Sequence, residues 1–516
     1  MSGVSIDGLR YNEVQQKSVH NTFQRSESIA DQFLYWRVRS MEIDVHHADV
    51  FGNSTKGDWA VHHDWYDPIS TVAKLSQFLR MVRGLNRLVP KHEVLTLFID
   101  IKDPFPKFAS ARHGWRAFDA LLDKELGSRL FRPANLLKRS RGATRLRDAL
   151  DVRGWPTLTS LRGKMIVVLT GSPTQLANYA IGPAAALKRS AFVSAPVDGA
   201  RDIPGSGDEV FFNINGEKNL QLVNRVHPVG CIARAYYLNT PELWAGAEAA
   251  SCHHLATDKV NERIDRWAST RNADGFPFQH IGGSSVDATE LGATCGIWAR
   301  TDDLWGERDS FVFNHRRPTR SHRDTTLDFA IAGPNSHTED FVKGAVLARA
   351  GLDPDDEYFG VVRLGQKHGL RVQFRARKGA PTTTIKPAIG PSGAFGYDID
   401  QDTIVHVRLK IDRSGKRARA WGSYDRRVWQ HIGAFEFTRP LRHQGIGVSA
   451  HGQRRGVKFV FVPAGRTAQI AFDQVTVIGY DDDHRGWVDW SAHGRWKTTG
   501  FSQWRATKPG TSDPRV

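Results

Sequence analysis

The sequence predicts two architectures in one chain, an α/β domain of repeated strand–helix units followed by an all-β sandwich. Three observations lead there. The chain has 516 residues, about three times the common domain size of ~150. Its first half alternates short β-branched runs with amphipathic helical stretches. Its second half is a series of short strands separated by Gly, Asp and Asn turns, with no helix of useful length.

In the first half, Ser40–His47 (SMEIDVHH), Val94–Lys102 (VLTLFIDIK), Lys164–Thr170 (KMIVVLT), Gly230–Leu238 (GCIARAYYL) and His253–Val260 (HHLATDKV) read as strands. Most are nearly continuous in hydrophobicity, as strands covered on both faces are. Between them Ser70–Val89 and Gly114–Leu130 carry apolar residues at three- and four-residue spacing, and Thr240–Ser251 supplies another helix. Such units over about 260 residues suit a TIM-type barrel or a doubly wound sheet. The predicted boundaries are 1–262 for this domain, 263–308 for a glycine-rich connection, 309–480 for the sandwich and 481–516 for a polar, tryptophan-bearing tail packed on a neighbouring surface.

Forty per cent hydrophobic and 24% charged residues describe a globular chain, not a disordered one. No apolar run approaches the ~18 residues that cross a bilayer. The first sixteen residues show no basic segment followed by an apolar one, so no secretory signal is visible; a mature exported protein reads the same way. The net charge of +16 favours anionic partners: nucleic acid, anionic lipid headgroups or phosphate-bearing glycans. Nucleic acid is disfavoured, because no helix-turn-helix, zinc-finger or RNP-like motif is present. Three cysteines, Cys231, Cys252 and Cys295, contain no C-x-x-C pair and speak against a zinc cluster.

The chemistry gathers between Ser18 and Asp103. SVHNTF contributes His20 and Asn21, and SMEIDVHH places Glu42 and Asp44 two apart. WAVHHDW brings His62, His63 and Asp64, and LFIDIKD adds Asp100, Lys102 and Asp103. Residues two apart on a strand share a face, so Glu42 and Asp44 project together. Carboxylates and a carboxamide from several strand ends make an oxygen-rich cage of the kind that holds Ca²⁺ or Mg²⁺. Imidazoles beside such an ion can stabilise a transferring phosphoryl group and protonate a leaving oxygen. His62 and His63, as neighbours on a strand, face opposite ways, so only one of them turns to the site; His63 is the preferred one.

The order HN…E-x-D…H…D resembles the X-region of phosphatidylinositol-specific phospholipase C, in its bacterial Ca²⁺-dependent branch. LRYNEVQQKSVHNTF is similar to that family's opening strand, VRSMEIDVH to its metal-binding strand and WAVHHDW to its histidine-bearing strand end. WPTLTSLRGKMIVVLTG and ARAYYLNTPELW…HHLATDKV resemble mid-barrel and closing segments, so the resemblance spans about residues 9–262. It implies a (β/α)8 barrel and Ca²⁺, with Mg²⁺ as the other candidate, held by Asn21, Glu42, Asp44 and Asp100. It further implies His20 on the phosphoryl group and His63 as general acid. Lys102, Lys164 and Arg234 lie near strand ends and are the expected binders of phosphate or ring hydroxyls. The family reaction is attack by a neighbouring substrate hydroxyl on phosphorus, which forms a cyclic phosphate. The expected substrate is a phosphoinositide or a glycan-linked phosphodiester, met outside the cell or in its envelope, with peripheral contact to a membrane or glycan surface.

Two departures stand out. Thr22-Phe23 replaces the Ser-Tyr of many relatives, and Asp64 after His63 is also found in glycerophosphodiester phosphodiesterases. The rival readings are therefore a glycerophosphodiesterase or phospholipase D-type barrel, or a non-catalytic anionic-glycan-binding protein. The second half resembles concanavalin A-like jelly-roll modules, with Trp421, Tyr424 and Trp429 as candidate sugar-stacking residues.

Overall fold

The structure is a computed structural model that describes residues 4–513, except 6–7, 56, 141, 181–182, 204–207, 263, 272–276, 282–285, 288–293, 319–323, 335–339, 366–368, 387–403, 454–455, 466, 468–471, 473, 480–484, 492–503 and 508–510. The chain divides into two compact units, Met1–Thr289 and Glu290–Val516.

Eight parallel strands close the first unit into a barrel: β1 Val14–Val19, β2 Ser40–His46, β3 Leu95–Ile101, β4 Met165–Thr170, β5 Phe192–Val197, β6 Phe211–Asn215, β7 Ile232–Tyr236 and β8 His254–Thr257. Each pairs with its chain neighbour, and β8 returns to β1. The barrel, not the doubly wound sheet, is therefore the realised alternative. Strands β5 and β6 lie in stretches where the sequence pattern names no strand; Ser194 and Pro196 in FVSAPV and two asparagines in FFNIN interrupt the apolar run.

Alternation decides what faces inward. Phe98 of β3 lies within 4.8 Å of the Arg234 guanidinium on β7 and 5.2 Å from the His254 ring on β8, so even-numbered β3 residues point into the lumen. Leu97 and Ile99 point outward and are fully buried, as a barrel wall covered by helices requires. Lower in the lumen, the Tyr11 hydroxyl is shared between Thr96 Oγ1 (2.6 Å) and His254 Nε2 (2.9 Å), and Tyr11 packs on Trp155 and Phe211. This plug leaves the upper mouth for polar groups. The helix Leu75–Leu88 buries Leu75, Phe78, Leu79, Val82 and Leu85, the spacing read from the sequence. The helix Trp115–Leu126 ends at Gly127, whose φ of 55° favours glycine.

The first unit runs past the predicted limit of residue 262. The strand Phe278–His280 lies antiparallel to the lower half of β1, pairing with Gln16, Gln15 and Val14. The predicted connection is divided as well: Thr294–Arg300 is a strand of the second unit, while residues 282–285 and 288–293 lie outside those described.

The second unit is a β-sandwich. In one antiparallel sheet Thr325–Ala332 pairs with Val405–Ile411 and Val457–Pro463; in the other Lys343–Arg349 pairs with Tyr358–Leu364 and His443–Ser449. Val405, Val407, Leu409 and Ile411 face the shared core, while Arg408 and Lys410 alternate outward. Asp309 pins a corner: Arg375 binds it through both nitrogens (2.7 and 2.8 Å) and Arg349 through one (2.5 Å), all three fully buried. The tail corrects its prediction. Residues 485–491 form a strand paired along its whole length with Thr294–Arg300, so this segment extends the sheet instead of packing on a surface. Trp496 lies outside the described residues.

Several histidines are buried in both units. Burial depresses His92 to about 4 and His253 to about 3 in the first, with His254 also well below its usual value. In the second it depresses His315 and His406 to about 3. The unfolded chain then takes up protons between pH ~6.5 and ~3 that the folded chain refuses, so stability falls as pH falls through that window, by up to about 1.4 kcal/mol per pH unit for each histidine. Calorimetric Tm values should drop steeply between pH 6.5 and pH 4 and change little between pH 7 and pH 8.

Candidate active site at the barrel mouth

Strand register builds the site. In β2 and β3, Ser40 pairs with Thr96, Glu42 with Phe98 and Asp44 with Asp100. Asp100 in turn pairs with Thr170 of β4. Asp44, Asp100 and Thr170 therefore form one ring at the C-terminal rim, and Glu42 sits one layer below.

Two internal cations meet these carboxylates. Arg234 NH2 donates to Glu42 Oε2 (2.5 Å) and NH1 to Asn213 Oδ1 (2.7 Å), and its side chain is almost fully buried. Lys102 Nζ lies 2.6 Å from Asp100 Oδ2 and 3.1 Å from Asp44 Oδ2. Burial pushes the Asp44 carboxyl well above the usual range, opposed by Lys102 and reinforced by Asp100 and Glu42. Burial also works against the Lys102 ammonium, but Asp44 and then Asp100 hold it above the ordinary lysine value. Asp100 moves the other way: burial raises it, and Lys102 with the Thr170 hydroxyl (2.7 Å) brings it below the usual value.

The two histidines stand over the Glu-x-Asp pair. His20 follows β1; its Nε2 is 3.9 Å from Glu42 Oε2 and its Nδ1 3.1 Å from Asp258 Oδ1. A proton on Nδ1 donated to Asp258 leaves Nε2 facing the mouth. Tyr236 stacks on the His20 ring (6.1 Å, 12°) and Tyr237 meets its edge (4.8 Å). His63 follows the short strand Ala60–Val61; its Nε2 is 4.0 Å from Asp44 Oδ2 and its Nδ1, without a hydrogen-bond partner, is 3.8 Å from Asp67. Burial first, then the charge of Lys102, lowers the His63 pKa, with Asp67 opposing. His62 turns away, its ring stacked on His46 (3.8 Å) and its Nε2 on Ala48 O (3.2 Å). Between the two histidines, only His63 faces the carboxylates.

Asn21 has left-handed backbone (φ 48°), and its N–H reaches Glu42 Oε2 at 3.4 Å. Its side-chain amide donates to Gln24, which donates on to Asp67. His20, Asn21, Glu42, Asp44, His63, Asp100, Lys102 and Arg234 thus share one mouth. Lys164 does not. It precedes β4, at the opposite end of the barrel, and donates to Ser128 O (2.9 Å). A residue before a parallel strand belongs to the floor, so Lys164 does not reach the mouth, contrary to the contact with substrate predicted for it.

The donor set suits a hard divalent cation. Three carboxylates and a carboxamide meet at one mouth, and Asp44 is buried there with Lys102 as its nearest cation. As they stand, no three acidic or histidine side chains among the described residues converge tightly enough to hold an ion.

Sequence reasoning missed Asp258, Tyr236, Tyr237 and Asp67. Tyr236 was accessible as the residue two beyond Arg234 on the same strand face; Asp258 was accessible as the first residue after β8. Asn239 fixes Asp258 through Nδ2 (2.8 Å). In the second unit, Trp429 lies under the Arg408 guanidinium (3.9 Å), Trp421 edges His431, and Tyr424 is exposed.

Comparison with known proteins gives a family match and a set of structural likenesses. The family model described as "Phosphoinositide phospholipase C, Ca2+-dependent" matches residues 57–217, which include His63, Asp100 and Lys102. This agrees with the resemblance drawn from the motifs. No curated protein matches the chain. Among solved structures, a calcium-dependent phosphoinositol-specific phospholipase C from Pseudomonas sp is 22% identical over 53% of this chain and 96% of its own, with TM-score 0.45. The Streptomyces antibioticus Ca²⁺-dependent enzyme is 17% identical over 50% and 97%, with TM-score 0.39. An Oleispira antarctica phosphodiesterase, in complex with sn-glycerol-3-phosphate, is 13% identical over 51% and 98%, with TM-score 0.28.

Removing one partner of a buried ion pair strands the other. Arg234→Met should therefore cost about 3 kcal/mol in denaturant unfolding of the first unit. The double variant Glu42→Gln/Arg234→Met should cost less than the single one.

Proposed function

We propose that the barrel unit is a Ca²⁺-dependent phosphodiesterase acting on a phosphodiester of a polyol, of the phosphatidylinositol or glycosylated inositol lipid type. The reaction is attack by the neighbouring substrate hydroxyl on phosphorus, with a cyclic phosphate and a free alcohol as products. The observation that carries this reading is the approach of two histidines, from separate strand ends, to the two carboxylates of one Glu-x-Asp pair at 3.9 and 4.0 Å. The matched family is one of Ca²⁺-dependent phosphoinositide phospholipases C, enzymes that cleave phosphodiesters.

Asn21, Glu42, Asp44 and Asp100 would hold the ion, which when bound neutralises charge growing on phosphorus and acidifies the attacking hydroxyl. The protein's own groups do the rest. His20, oriented by Asp258 and wedged between Tyr236 and Tyr237, directs Nε2 at a phosphoryl oxygen. Asp44 or Asp100 accepts the hydroxyl proton. His63 protonates the leaving oxygen; burial and Lys102 lower its pKa, so it must take up a proton before it acts as the acid. Arg234 and the Tyr236 face bound the cavity where a ring hydroxyl would lie.

Around this mouth stand exposed Phe51 (86%), Trp65 (76%), Tyr66 (66%), Ile69 (57%) and Phe108 (74%). They sit on segments that follow β2, His63 and β3, so they border the site. No described helix is long and apolar enough to cross a membrane. Aromatic side chains exposed together beside a site are suited to a lipid–water interface, and the net charge of +16 favours anionic headgroups. This fits an enzyme working at a surface outside the cell or in its envelope.

Phosphorus NMR of products from phosphatidylinositol vesicles with Ca²⁺ should show a cyclic inositol phosphate. Glycerol phosphate from glycerophosphodiesters, with no cyclic product, would transfer the reading to the glycerophosphodiesterase class. His20→Ala and His63→Ala should each lower kcat by about 10²-fold or more with unchanged circular dichroism. Trp65→Ala/Phe108→Ala should weaken vesicle binding by about tenfold, or ~1.4 kcal/mol, while turnover of a soluble monomeric substrate holds.

A further inference from the structure

We propose that Lys102 is an exchangeable internal cation: it neutralises Asp44 and Asp100 while no metal is present, and a divalent ion binds only by displacing it. The inference rests on the metal-site reading above and concerns one side chain of this chain.

Four observations carry it. First, the ammonium bridges the two carboxylates that the metal would need, at 2.6 and 3.1 Å. Second, the two contacts are unequal: Asp100 is also held by the Thr170 hydroxyl (2.7 Å), whereas the buried Asp44 has Lys102 as its nearest cation, at 3.1 Å. Third, the Lys102 backbone is fixed on both sides: its N–H donates to Val45 O (3.1 Å) and its carbonyl accepts from Gln175 Nε2 (2.6 Å). Its side chain is nevertheless 27% exposed at the mouth, so the flexible four-carbon stem can swing while the main chain stays put. Fourth, three carboxylates, Glu42, Asp44 and Asp100, face two cations, Lys102 and Arg234, so the acids outnumber the cations that meet them directly.

Arg234 is different in kind. Its side chain is 1% exposed and fixed by Glu42 and Asn213, so it stays when the metal arrives. The released ammonium lies next to the mouth that the diester enters, and would join the groups facing its phosphate. Metal affinity and substrate recognition are then coupled through one lysine.

The test is calorimetric titration of the full chain with CaCl2, comparing wild type, Lys102→Met and Lys102→Arg, with thermal unfolding in EGTA and in Ca²⁺. Lys102→Met should bind Ca²⁺ about tenfold more tightly or better, because a competing charge at ion-pair distance is gone. Lys102→Arg should stay within about threefold of wild type, since the competing charge is retained. The Ca²⁺-dependent rise in Tm should be larger for Lys102→Met than for wild type. If Lys102→Met folds only when Ca²⁺ is present, the same conclusion follows, because the ion then does what the ammonium did. Unchanged or weaker Ca²⁺ binding by Lys102→Met overturns the proposal and leaves the metal reading standing. So does a variant that stays unfolded with Ca²⁺, since its role is then structural. Absence of Ca²⁺ binding by all three proteins overturns the proposal and the metal reading together.

Discussion

The constraint behind this site is the alternation of β2. Glu42 and Asp44 must share a face, and in a closed barrel that face is the lumen. Carboxylates taken out of water need partners. Arg234 meets one and Lys102 the other, and the histidines come to the same acids from outside. The chemistry of the mouth is therefore a consequence of burying charge in pairs, with cations and imidazoles drawn to where the strand register puts the acids.

Below that ring the lumen is closed by ordinary packing. Tyr11, Trp155, Phe98 and Phe211 fill the floor, and the Tyr11 hydroxyl is satisfied by Thr96 and His254. The Arg234 guanidinium lies over the Phe98 ring at 4.8 Å and meets Glu42, which shares the Phe98 level in the strand register. At the rim, positioning passes to side chains with their own supports: Asp258 on Asn239, Gln24 on Asp67.

Much of this was legible in the sequence, for a physical reason. Residues two apart on a strand, such as Glu42/Asp44 and Asp100/Lys102, declare their shared face without knowledge of the rest of the fold. Histidines next to such strands, His20 and His63, follow the same logic. What escaped depends on distance in space. Asp258 is 238 residues from His20, and only closure of β8 on β1 brings them to 3.1 Å. Lys164 was misplaced because being near a strand end does not say which end. Strands β5 and β6 were hidden because Pro196, Ser194, Asn213 and Asn215 replace the apolar residues that signal a buried strand. The lumen tolerates polar groups there, and the sequence pattern does not.

The seam of the barrel carries one more consequence. Between β1 and β2 only two residue pairs close the ring, Ser18 with Ser40 and Val19 with Met41; the lower part of β1 instead takes the returning strand Phe278–His280. A gene fragment cut just after the last recognisable motif would bare three backbone rungs on the very strand that leads into His20. Soluble expression of the barrel unit alone thus calls for carrying the chain through residue 289, and a shorter boundary invites edge-to-edge pairing between copies.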